Sequence, residues 1–318
     1  MTRMSVGVVT VTFNSSSVLD DFLSSLWAQK GVDIRLYAVD NNSRDCTVNR
    51  LAEDALQHPA TIIANDANLG VAVGNNQGIE AALGDGCDWV LLLNNDTLFP
   101  PTFIADLVRV ADDRGLDVVS PLIEATDPPG SNWYSDGVIQ AFKAMKATHR
   151  GMGDSLVPSR HPDVATVDYA STCALLVRPV VFEAVGLMDP IYFVYGDDVD
   201  FCIRAKRAGF SYTVTARAVL IHKASSLTGE FTGAFAARWI TRNWVVVARR
   251  HCSPTQLAFG SVYMAMWVVG RLALRRENLK VTGRRIKAIW EGWRLDLSPE
   301  PPRLLASEAQ ARNAGAGQ

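Results

Sequence analysis

Apolar runs that end in Asn or Asp recur through the first hundred residues of the chain. The runs end at Asn14, at Asp40, at Asn65 and Asp66, and at Asp96, and a helix-like stretch follows each of them. Strands that alternate with helices in this way predict an α/β fold with a doubly wound, mostly parallel sheet and helices on both faces. Ligands bind such sheets in the crevice at the carboxyl ends of the strands, so these polar residues mark a candidate site.

The hydrophobic spacing also predicts the individual elements of this fold. The predicted strands of the first part are Val6–Thr12, Ile34–Val39, Thr61–Ala64, Trp89–Leu93 and Asp117–Ser120. The helices expected between them are Val18–Gln29, Thr47–Leu56, Val71–Leu83 and Thr102–Asp113. Later elements are a strand-like run at Val167–Val177, helices at Phe182–Val185 and Val199–Ala208, and edge strands at Tyr212–Val214 and Val219–Ile221.

The segment from Asp127 to Val164 interrupts this rhythm. It contains DPPG and GMGD and no sustained hydrophobic period, so we expect an irregular segment of the kind that is usually functional or mobile. Its scattered basic and imidazole side chains include Lys146, His149, Arg150 and His161. These side chains suit contact with a phosphate group, and a solvated loop is the alternative.

The chain changes character after Thr232. Phe235–Arg250 has helical spacing, and Leu257–Gly270 is a run of 14 uncharged residues between clusters of basic side chains. This run is shorter than the ~20 residues that span a bilayer, so it is either an interfacial membrane helix or a packing helix of a C-terminal bundle. We expect an α/β domain over residues 1–228, a helical extension over 229–295 and a disordered tail over 296–318.

The composition narrows the classes of function. The chain has 318 residues, 48% of them hydrophobic, and a formal net charge of −2, so bulk electrostatics do not favour nucleic acid. The N-terminal apolar run is short and β-branched, unlike a signal peptide. Five scattered cysteines without metal-type spacing indicate reduced thiols. We therefore expect a cytoplasmic protein, and leave open whether it also lies on the inner face of the cell membrane.

Two common nucleotide-binding motifs are missing from the sequence. No GxGxxG follows the first strand and no GxxxxGK[ST] occurs, which argues against a dinucleotide oxidoreductase and a P-loop enzyme. TFNSSS follows instead, where Thr12 and Asn14 suit the polar edges of a nucleotide; a helix N-cap by the serines is the alternative. Asp40 opens DNNSRD, which also contains Asn42. Its carboxylate can accept hydrogen bonds from a pyrimidine N–H or a ribose hydroxyl, and an Asx-turn is the alternative.

The segment Asn68–Gly78 reads NLGVAVGNNQG and places three glycines, Gly70, Gly74 and Gly78, on one helix face. Small residues there allow the helix to approach the sheet or a ligand closely. Asn68 is the better ligand candidate, because it lies near the helix N-terminus, where N–H groups favour phosphate.

Two further positions could hold a metal ion. Asn94, Asn95 and Asp96 follow the buried run VLLL. A carboxylate there can bind a hard divalent cation together with diphosphate oxygens, and a β-turn is the alternative. His222 follows a later apolar run, where it is either a metal ligand or an ordinary core or surface residue.

The run YGDDVDFCIRAKRAG over residues 195–209 places three acids at a helix start, where the helix dipole keeps carboxylates ionised. Asp200 can pair with Arg204 one turn further on, so we expect it to be structural. Asp197 and Asp198 have no such partner, so an ionised carboxylate here is a candidate general base. A plain acidic helix N-terminus is the alternative.

Together these motifs resemble the family 2 inverting glycosyltransferases with the GT-A fold. The matching stretches lie in order between Ser5 and Leu227, and they are VTFN, DNNSRD, NLGVAVGNNQGI, LLLNNDT, FEAVGLMD and YGDDVDFCIRAKRAGF. The chain is most similar to the rhamnosyltransferase-type branch of cell-wall and polysaccharide assembly. The dipeptide RN at Arg242–Asn243 also recurs in similar enzymes.

The resemblance implies roles for individual residues. Asp40 would recognise the nucleotide base, and Asp96, at the last position of the family's DXD motif, would bind Mg²⁺ or Mn²⁺. His222 would complete the metal site, and Asp198 would be the catalytic base. The donor-binding residues would be Thr12, Asn14, Asp40, Asn42, Asn68, Gly70, Asn94 and Asn95.

The chain departs from the family pattern at two positions. Asn94 replaces the first carboxylate of the DXD motif, which removes one charge from the metal site. Asp197 replaces the Glu of the family's Glu-Asp pair, so the choice of base between Asp197 and Asp198 stays open.

The implied reaction moves rhamnose or a hexose from dTDP-rhamnose or a UDP-sugar to a hydroxyl of a glycan or polyprenyl-diphosphate-linked acceptor, with inversion. The segment 127–164 would then lie beside the acceptor and help to choose it. A non-catalytic nucleotide-sugar-binding subunit is one alternative. A sugar nucleotidyltransferase is another, but its Gly-rich N-terminal loop is missing. Homo-oligomerisation stays open.

Overall fold

The computed structural model describes residues 3–223 and 233–304. The strands are β1 (Ser5–Thr12), β2 (Asp33–Asp40), β3 (Ala60–Ala64), β4 (Trp89–Leu93), β5 (Thr97–Leu98), β6 (Val118–Ala125), β7 (Ser131–Tyr134), β8 (Gly137–Gln140), β9 (Lys146–His149), β10 (Val164–Val167), β11 (Ala174–Val177) and β12 (Tyr212–His222). The helices are α1 (Ser16–Trp27), α2 (Thr47–Ala55), α3 (Val71–Gly84), α4 (Phe103–Arg114), α5 (Pro179–Val185), α6 (Asp197–Arg207), α7 (Ala234–His251), α8 (Pro254–Ala273) and α9 (Leu279–Arg294).

The main sheet has the strand order β10-β12-β6-β11-β4-β1-β2-β3, with β5 paired to β12 and β7 paired to β6. The pairs β1–β2, β1–β4, β2–β3 and β6–β12 are parallel, whereas β11 runs antiparallel to both β4 and β6. Helices cover both faces, so the predicted α/β fold with a doubly wound, mostly parallel sheet is confirmed. The strand order reverses between β1 and β4, and the crevice at such a switch point is where ligands bind.

Two strand predictions in the second half were wrong. The run Val167–Val177 contains the end of β10 and the whole of β11, which pair with different strands. The two expected edge strands are one strand, β12, which lies between β10 and β6. A β-bulge between Thr215 and Val219 interrupts the hydrophobic pattern without ending the strand.

The segment 127–164 was predicted to be irregular, and it is not. β7 joins the main sheet beside β6, and β8 and β9 form a separate two-stranded antiparallel sheet. Each of these strands is four residues long, which is too short to produce a recognisable period in the sequence.

Helix α3 packs closely on β1 because two of its glycines face that strand. A Cβ on Gly78 would lie 2.4 Å from Val9 Cγ1, and a Cβ on Gly74 would lie 2.8 Å from Val11 Cγ1. Only glycine therefore permits this spacing between helix and strand. The packing explanation of both glycines is confirmed, and the start of α3 is brought close to the carboxyl end of β1.

The chain beyond α9 returns to the α/β core. Leu297 packs against the main hydrophobic cluster, and Pro302 O accepts a hydrogen bond of 2.7 Å from Leu187 N. Leu297, Pro302 and Leu304, in a stretch that was expected to be disordered, therefore contact the core, although residues 298–300 between them are exposed. Residues 305–318 of the expected tail lie outside the described residues.

The expected boundary at residue 228 falls in the stretch 224–232, outside the described residues, so the division into an α/β domain and a helical extension stays a prediction. Within residues 3–223 and 233–304, no helix has the length and apolar character needed to cross a membrane.

We expect Gly78→Ala to lower the free energy of unfolding by about 1–3 kcal/mol, because the added methyl group would overlap Val9. Gly84→Ala is the matched control on the same helix, since its Cβ would meet no heavy atom within 4 Å. Urea unfolding of both variants makes the comparison. Equal losses of stability would contradict the proposed close packing.

Candidate active site

A cavity of about 690 Å³ opens at the carboxyl ends of β1 and β4, at the switch point of the sheet. The predicted site residues that line it are Thr12, Asn68, Gly70, Asn94, Asn95, Asp96, Asp197, Asp198 and His222. These come from separate parts of the chain, and the fold brings them to one crevice. The predicted donor-binding residues Asp40, Asn14 and Asn42 do not line the cavity.

Asp40 does not line the cavity, but it is hydrogen-bonded to Thr12, which does. Its side chain accepts hydrogen bonds from Thr12 Oγ1 at 2.8 Å and from Ser43 N at 2.8 Å, and the residue is only 1% exposed. Asp40 therefore orients the lining hydroxyl of Thr12. Its predicted contact with a nucleotide base stays a prediction.

Asn14 and Asn42 serve the turns that follow β1 and β2. Both adopt a positive φ, 52° and 64°, a conformation that Asn tolerates better than most residues. Asn14 Oδ1 accepts a hydrogen bond from Arg44 N, and Asn42 Nδ2 donates to Asp66 O, each at 2.8 Å. Both residues are exposed outside the cavity, and the turns account for their side-chain hydrogen bonds, so their predicted contact with the donor stays a prediction.

The loop before α3 is joined to the loop before α6. Asn68 Oδ1 accepts a hydrogen bond from Gly70 N at 3.0 Å, and Val71 N donates to Phe193 O at 2.7 Å. Gly70 has a φ of +88°, and a Cβ there would lie 2.4 Å from Phe193 O. The N–H groups of residues 70 and 71 thus already have protein partners and are not available to a phosphate group. Asn68 keeps its amide Nδ2 as a donor for a ligand.

Asp96 is held beside His222 by backbone pairing. The short strand β5 pairs with the end of β12, with Thr97 opposite His222, and Lys223 N donates to Asp96 O at 2.8 Å. Asn95 Nδ2 donates to Val11 O at 2.7 Å, which ties the same turn to β1. Asp96 can therefore belong to a turn and to the candidate metal site at the same time.

Asp96 Oδ1 lies 3.1 Å from His222 Nε2, and both side chains are nearly buried. Burial lowers the pKa of His222, but Cys173 and Asp96 raise it more, so that its pKa is about 10. Two adjacent ligands of a six-coordinate ion, at about 2.1 Å each, are separated by about 3 Å. The two donor atoms therefore fit a shared divalent cation, which would displace the proton between them.

No group of three or more His, Cys, Asp or Glu side chains in the described part of the chain could hold a metal ion. Asp96 and His222 would have to share the ion with oxygens from a ligand or water. Asn94, in place of the first DXD carboxylate, gives the pair no extra charge.

The acidic helix α6 begins at the cavity, after Tyr195 and Gly196 with positive φ values of 64° and 84°. Asp197 is 3% exposed, and its Oδ2 is buried without a hydrogen-bond partner among the described residues. Asp198 is half-buried, lines the cavity, and accepts a hydrogen bond from Val199 N at 2.8 Å. Asp198 is thus the more accessible carboxylate of the two.

Burial raises the pKa of both carboxyl groups at the start of α6. For Asp197, the neighbouring charge of Asp198 raises the pKa further. For Asp198, the hydrogen bond from Val199 N opposes part of the effect of burial. Groups whose pKa is moved towards neutrality in a cleft are candidates for acid or base chemistry.

Helix α7 fixes the loop that carries this acidic pair. Asn243 Nδ2 donates to Val194 O at 2.8 Å and to Tyr195 O at 2.7 Å, and Arg242 Nη1 donates to Ile191 O at 2.7 Å. The RN dipeptide was noted in the sequence, but its role in positioning this loop was missed, because a span of about fifty residues separates the partners.

Asp200 is structural, as predicted. It pairs with Arg204 Nε at 2.8 Å and with His251 Nε2 at 2.7 Å, and it is fully buried. Burial raises the pKa of Asp200, but the hydrogen bond from His251 and the charge of Arg204 lower it more, so the net shift is downward. His251 was not predicted, and its position at the end of α7 gave no local signal.

The cavity has an aromatic wall, formed by Trp244 and Trp267 around Lys146. Lys146 Nζ lies 4.8 Å from the ring centroid of Trp267 and 5.6 Å from that of Trp244. Lys146 has no carboxylate partner in the described part of the chain, and burial lowers its pKa, as do nearby cations such as Lys143.

The other three residues of the segment 127–164 that were predicted to contact phosphate do not bring charge to the cavity. His149 lines it, but burial lowers the pKa of His149 to about 4, so the ring is neutral. Arg150 pairs with Asp136 at 3.2 Å, and His161 is not a lining residue. Of the four, Lys146 alone could meet a phosphate group there.

The family model for glycosyl transferase family 2 matches residues 7–181, which include β1, the turn at Asp96 and the start of α5. The chain belongs to glycosyl transferase family 2. The resemblance read from the motifs is confirmed, and the protein is a glycosyltransferase. This membership argues against the two alternatives, a non-catalytic nucleotide-sugar-binding subunit and a sugar nucleotidyltransferase.

This family 2 enzyme is similar to named transferases. It is 29% identical over 302 residues to an N-acetylglucosaminyl-diphospho-decaprenol L-rhamnosyltransferase of Mycobacterium tuberculosis, covering 85% of this chain and 94% of that one. It is 26% identical over 238 residues to the galactofuranosyltransferase GlfT1 of Mycolicibacterium smegmatis, covering 74% and 76%. The fold is similar to that of GalNAc-T7 solved with UDP, GalNAc and Mn²⁺, with a TM-score of 0.64, 14% identity, and coverage of 90% of this chain and 54% of that chain.

We expect Asp197→Asn to raise the free energy of unfolding at pH 8 by on the order of 1 kcal/mol and to have less effect at pH 5. The pKa of Asp197 is raised to about 8 in the folded state, so between about pH 4 and pH 8 the folded protein holds this carboxyl protonated while the unfolded chain ionises it, and the native protein loses stability as pH rises through this range. Asn removes this loss. Urea unfolding at both pH values makes the measurement.

Asp200→Asn is the control on the same helix, and its sign is opposite. The pKa of Asp200 is lowered on folding, so its ionised form adds stability that is lost as pH falls through that pKa. Asp200→Asn should therefore destabilise the protein at pH 8. Destabilisation by both variants would contradict the assignment of Asp197 as a strained buried acid.

Proposed function

We propose that this glycosyltransferase moves rhamnose or a hexose from a nucleoside-diphosphate donor to a hydroxyl of a glycan or lipid-linked glycan, with inversion, in cell-wall or polysaccharide biosynthesis. One observation carries the proposal: the accessible carboxylate of Asp198 and the pair Asp96–His222 line the same 690 Å³ cavity. A base and a site for the leaving diphosphate are thus available to one substrate complex.

Asp198 is the proposed general base. It reaches the cavity, and its raised pKa suits a group that accepts a proton near neutral pH. Asp197 is almost fully buried, and its pKa is raised further by the charge of Asp198. Asp197 is therefore better suited to remain protonated and to limit the negative charge at the start of α6.

The proposed reaction is a direct displacement. Asp198 takes the proton of an acceptor hydroxyl while that oxygen forms a bond to the anomeric carbon of the donor sugar. The bond from that carbon to the diphosphate oxygen breaks, and the nucleoside diphosphate leaves from the opposite face with the bonding electrons. Attack and departure on opposite faces invert the configuration. Asn243 contributes by holding the loop from which Asp198 projects.

Asp96 and His222 would hold a divalent cation, Mg²⁺ or Mn²⁺. When bound, such an ion neutralises charge that grows on a leaving diphosphate. Asn94 and Asn95 line the same part of the cavity, and Asn95 is anchored to β1. Thr12 presents a hydroxyl oriented by Asp40 to the nucleotide part of the donor.

The donor we favour is dTDP-rhamnose, with UDP-hexoses as the alternative. The support is similarity to a rhamnosyltransferase over 85% of the chain. The acceptor we favour carries a polyprenyl diphosphate, since the name of that relative specifies such an acceptor. Lys146 would meet the diphosphate, because it brings a charge without a carboxylate partner among the described residues to the aromatic wall of the cavity.

We expect Asp198→Asn to lower turnover by about 10²–10⁴-fold, because the acceptor hydroxyl loses its base. Donor binding should persist, measured as the rise in melting temperature with nucleotide sugar and Mn²⁺. Turnover is measured as nucleoside diphosphate released in the presence of acceptor. An Asp198→Asn enzyme of near-native turnover would end the assignment, and a loss confined to Asp197→Asn would move it to Asp197.

The same assay with EDTA tests the metal assignment. Activity that EDTA abolishes and added Mn²⁺ restores would support it, and undiminished activity in EDTA would refute it.

We expect Lys146→Met to raise the KM for a polyprenyl-diphosphate-linked acceptor about tenfold, because a charge-assisted contact to diphosphate is lost while the apolar stem is kept. Lys143→Met is the matched control, since Lys143 is exposed and does not line the cavity. Steady-state kinetics with lipid-linked and diphosphate-free acceptors make the comparison. An equal KM increase for the diphosphate-free acceptor would contradict diphosphate recognition by Lys146.

A further inference from the structure

Helix α8 has an apolar outer face with no partner in the described part of the chain. Phe259, Val262, Met266 and Val269 recur at intervals of three and four residues, so they form one stripe along the helix. Phe259 is 63% exposed and Met266 is 61% exposed. An exposed apolar stripe of this length on a helix marks an interaction surface.

The inner face of the same helix is packed. Gly260, Met264 and Val268 are buried, and a Cβ on Gly260 would lie 2.6 Å from Ala144 Cβ. The inner side of this run therefore packs in the C-terminal bundle, as one of the two alternatives required, and its outer side is apolar and exposed. The other alternative, an interfacial membrane helix, stays a prediction.

Helix α9 adds a second apolar stripe with cations beside it. It buries Thr282, Arg285, Ala288 and Gly292 and exposes Leu279, Ile286, Trp290 and Trp293. The exposed basic residues next to that stripe are Lys280, Arg284, Lys287 and Arg294. None of these four forms an ion pair within the described residues.

The two stripes belong to neighbouring surfaces. A small cavity of about 70 Å³ between the helices is lined by Leu257 and Ala265 of α8 and by Ile289 and Trp293 of α9. Trp293 is both part of this lining and partly exposed, so the apolar surface continues from one helix to the other. We call this surface, the outer sides of α8 and α9, the α8–α9 face.

We propose that the α8–α9 face docks on the surface of an anionic lipid bilayer. The apolar stripes and the two tryptophans enter the boundary between headgroups and acyl chains, and the basic row contacts lipid phosphates. The α8–α9 face matches an anionic membrane in charge, because its cations lie beside apolar side chains, as on other helices that bind such membranes. Neither helix is long and apolar enough to cross the bilayer.

A second copy of this chain is a poorer occupant of the face. A two-fold contact would place the basic row of α9 near its own counterpart. Glu291, the acid on α9, already pairs with Arg238 at 3.0 Å. The face therefore offers another copy little negative charge to complement its cations.

Docking also suits access to the catalytic cavity. Trp267 of α8 lines that cavity beside Lys146, while its helix neighbours Met266 and Val269 point outward. A lipid-linked acceptor could pass from the bilayer to the aromatic wall along α8. This part of the inference rests on the proposed function, whereas docking itself does not.

The test is co-sedimentation of the full chain with vesicles of phosphatidylglycerol and of phosphatidylcholine, without donor or acceptor. We expect preferential binding to phosphatidylglycerol that weakens as salt rises.

Lys287→Gln should lower the partition coefficient about fivefold, as expected for one basic residue at an anionic surface. Trp290→Ser should lower it about tenfold. The matched controls, Lys30→Gln and Leu56→Ser, change exposed residues far from the α8–α9 face and should bind as the native protein does.

Thermal unfolding confirms that each variant is folded, and Val262→Ser replaces Trp290→Ser if the latter is not. Equal losses in the control variants, or no preference of the native chain for anionic vesicles, would overturn the proposal. A dimer in sedimentation velocity that Trp290→Ser dissociates, with vesicle binding unchanged, would assign the face to a second copy instead. Because no turnover is measured, failure here leaves the proposed reaction intact.

Discussion

The hydrogen bonds from Asn243 to the carbonyls of Val194 and Tyr195 are the constraint on which the active site depends. They fix a loop with two consecutive positive-φ residues, and the helix that follows begins with Asp197 and Asp198 at the cavity. The same loop is tied from the other side by the contact between Val71 N and Phe193 O. Two segments, distant in sequence, therefore hold the acidic helix start against the carboxyl end of β1.

Helix α6 begins with three acids whose charges are compensated to different degrees. Asp200 is matched by Arg204 and His251, so burial of its charge is compensated. Asp197 has a buried oxygen without a partner among the described residues, and its pKa is raised. Folding is opposed by ionisation at Asp197 and favoured by ionisation at Asp200. An uncompensated acid of this kind is a feature that natural proteins retain at functional sites.

The sequence predicted strands β1 to β4 and helices α1 to α4 well, because apolar runs and helix-like stretches alternate there along the chain. It failed for β7, β8 and β9, whose four-residue lengths carry no period, and for β12, whose bulge divides its pattern. Among site residues, polar side chains directly after strands were recognised. For Asn14 and Asn42 the sequence could not separate a turn residue from a ligand-binding residue, because both preferences of Asn give the same local signal.

The sequence by itself determined the α/β alternation, the family, and the polar residues that follow the strands, because these are encoded in local periods and short motifs. Only the tertiary structure decided which of them meet. It placed Asp40 behind Thr12, exposed Asp198 more than Asp197, and set Lys146 between aromatic rings of α7 and α8. The physical reason is that burial, pKa and access depend on neighbours brought from elsewhere in the chain, and no local pattern records them.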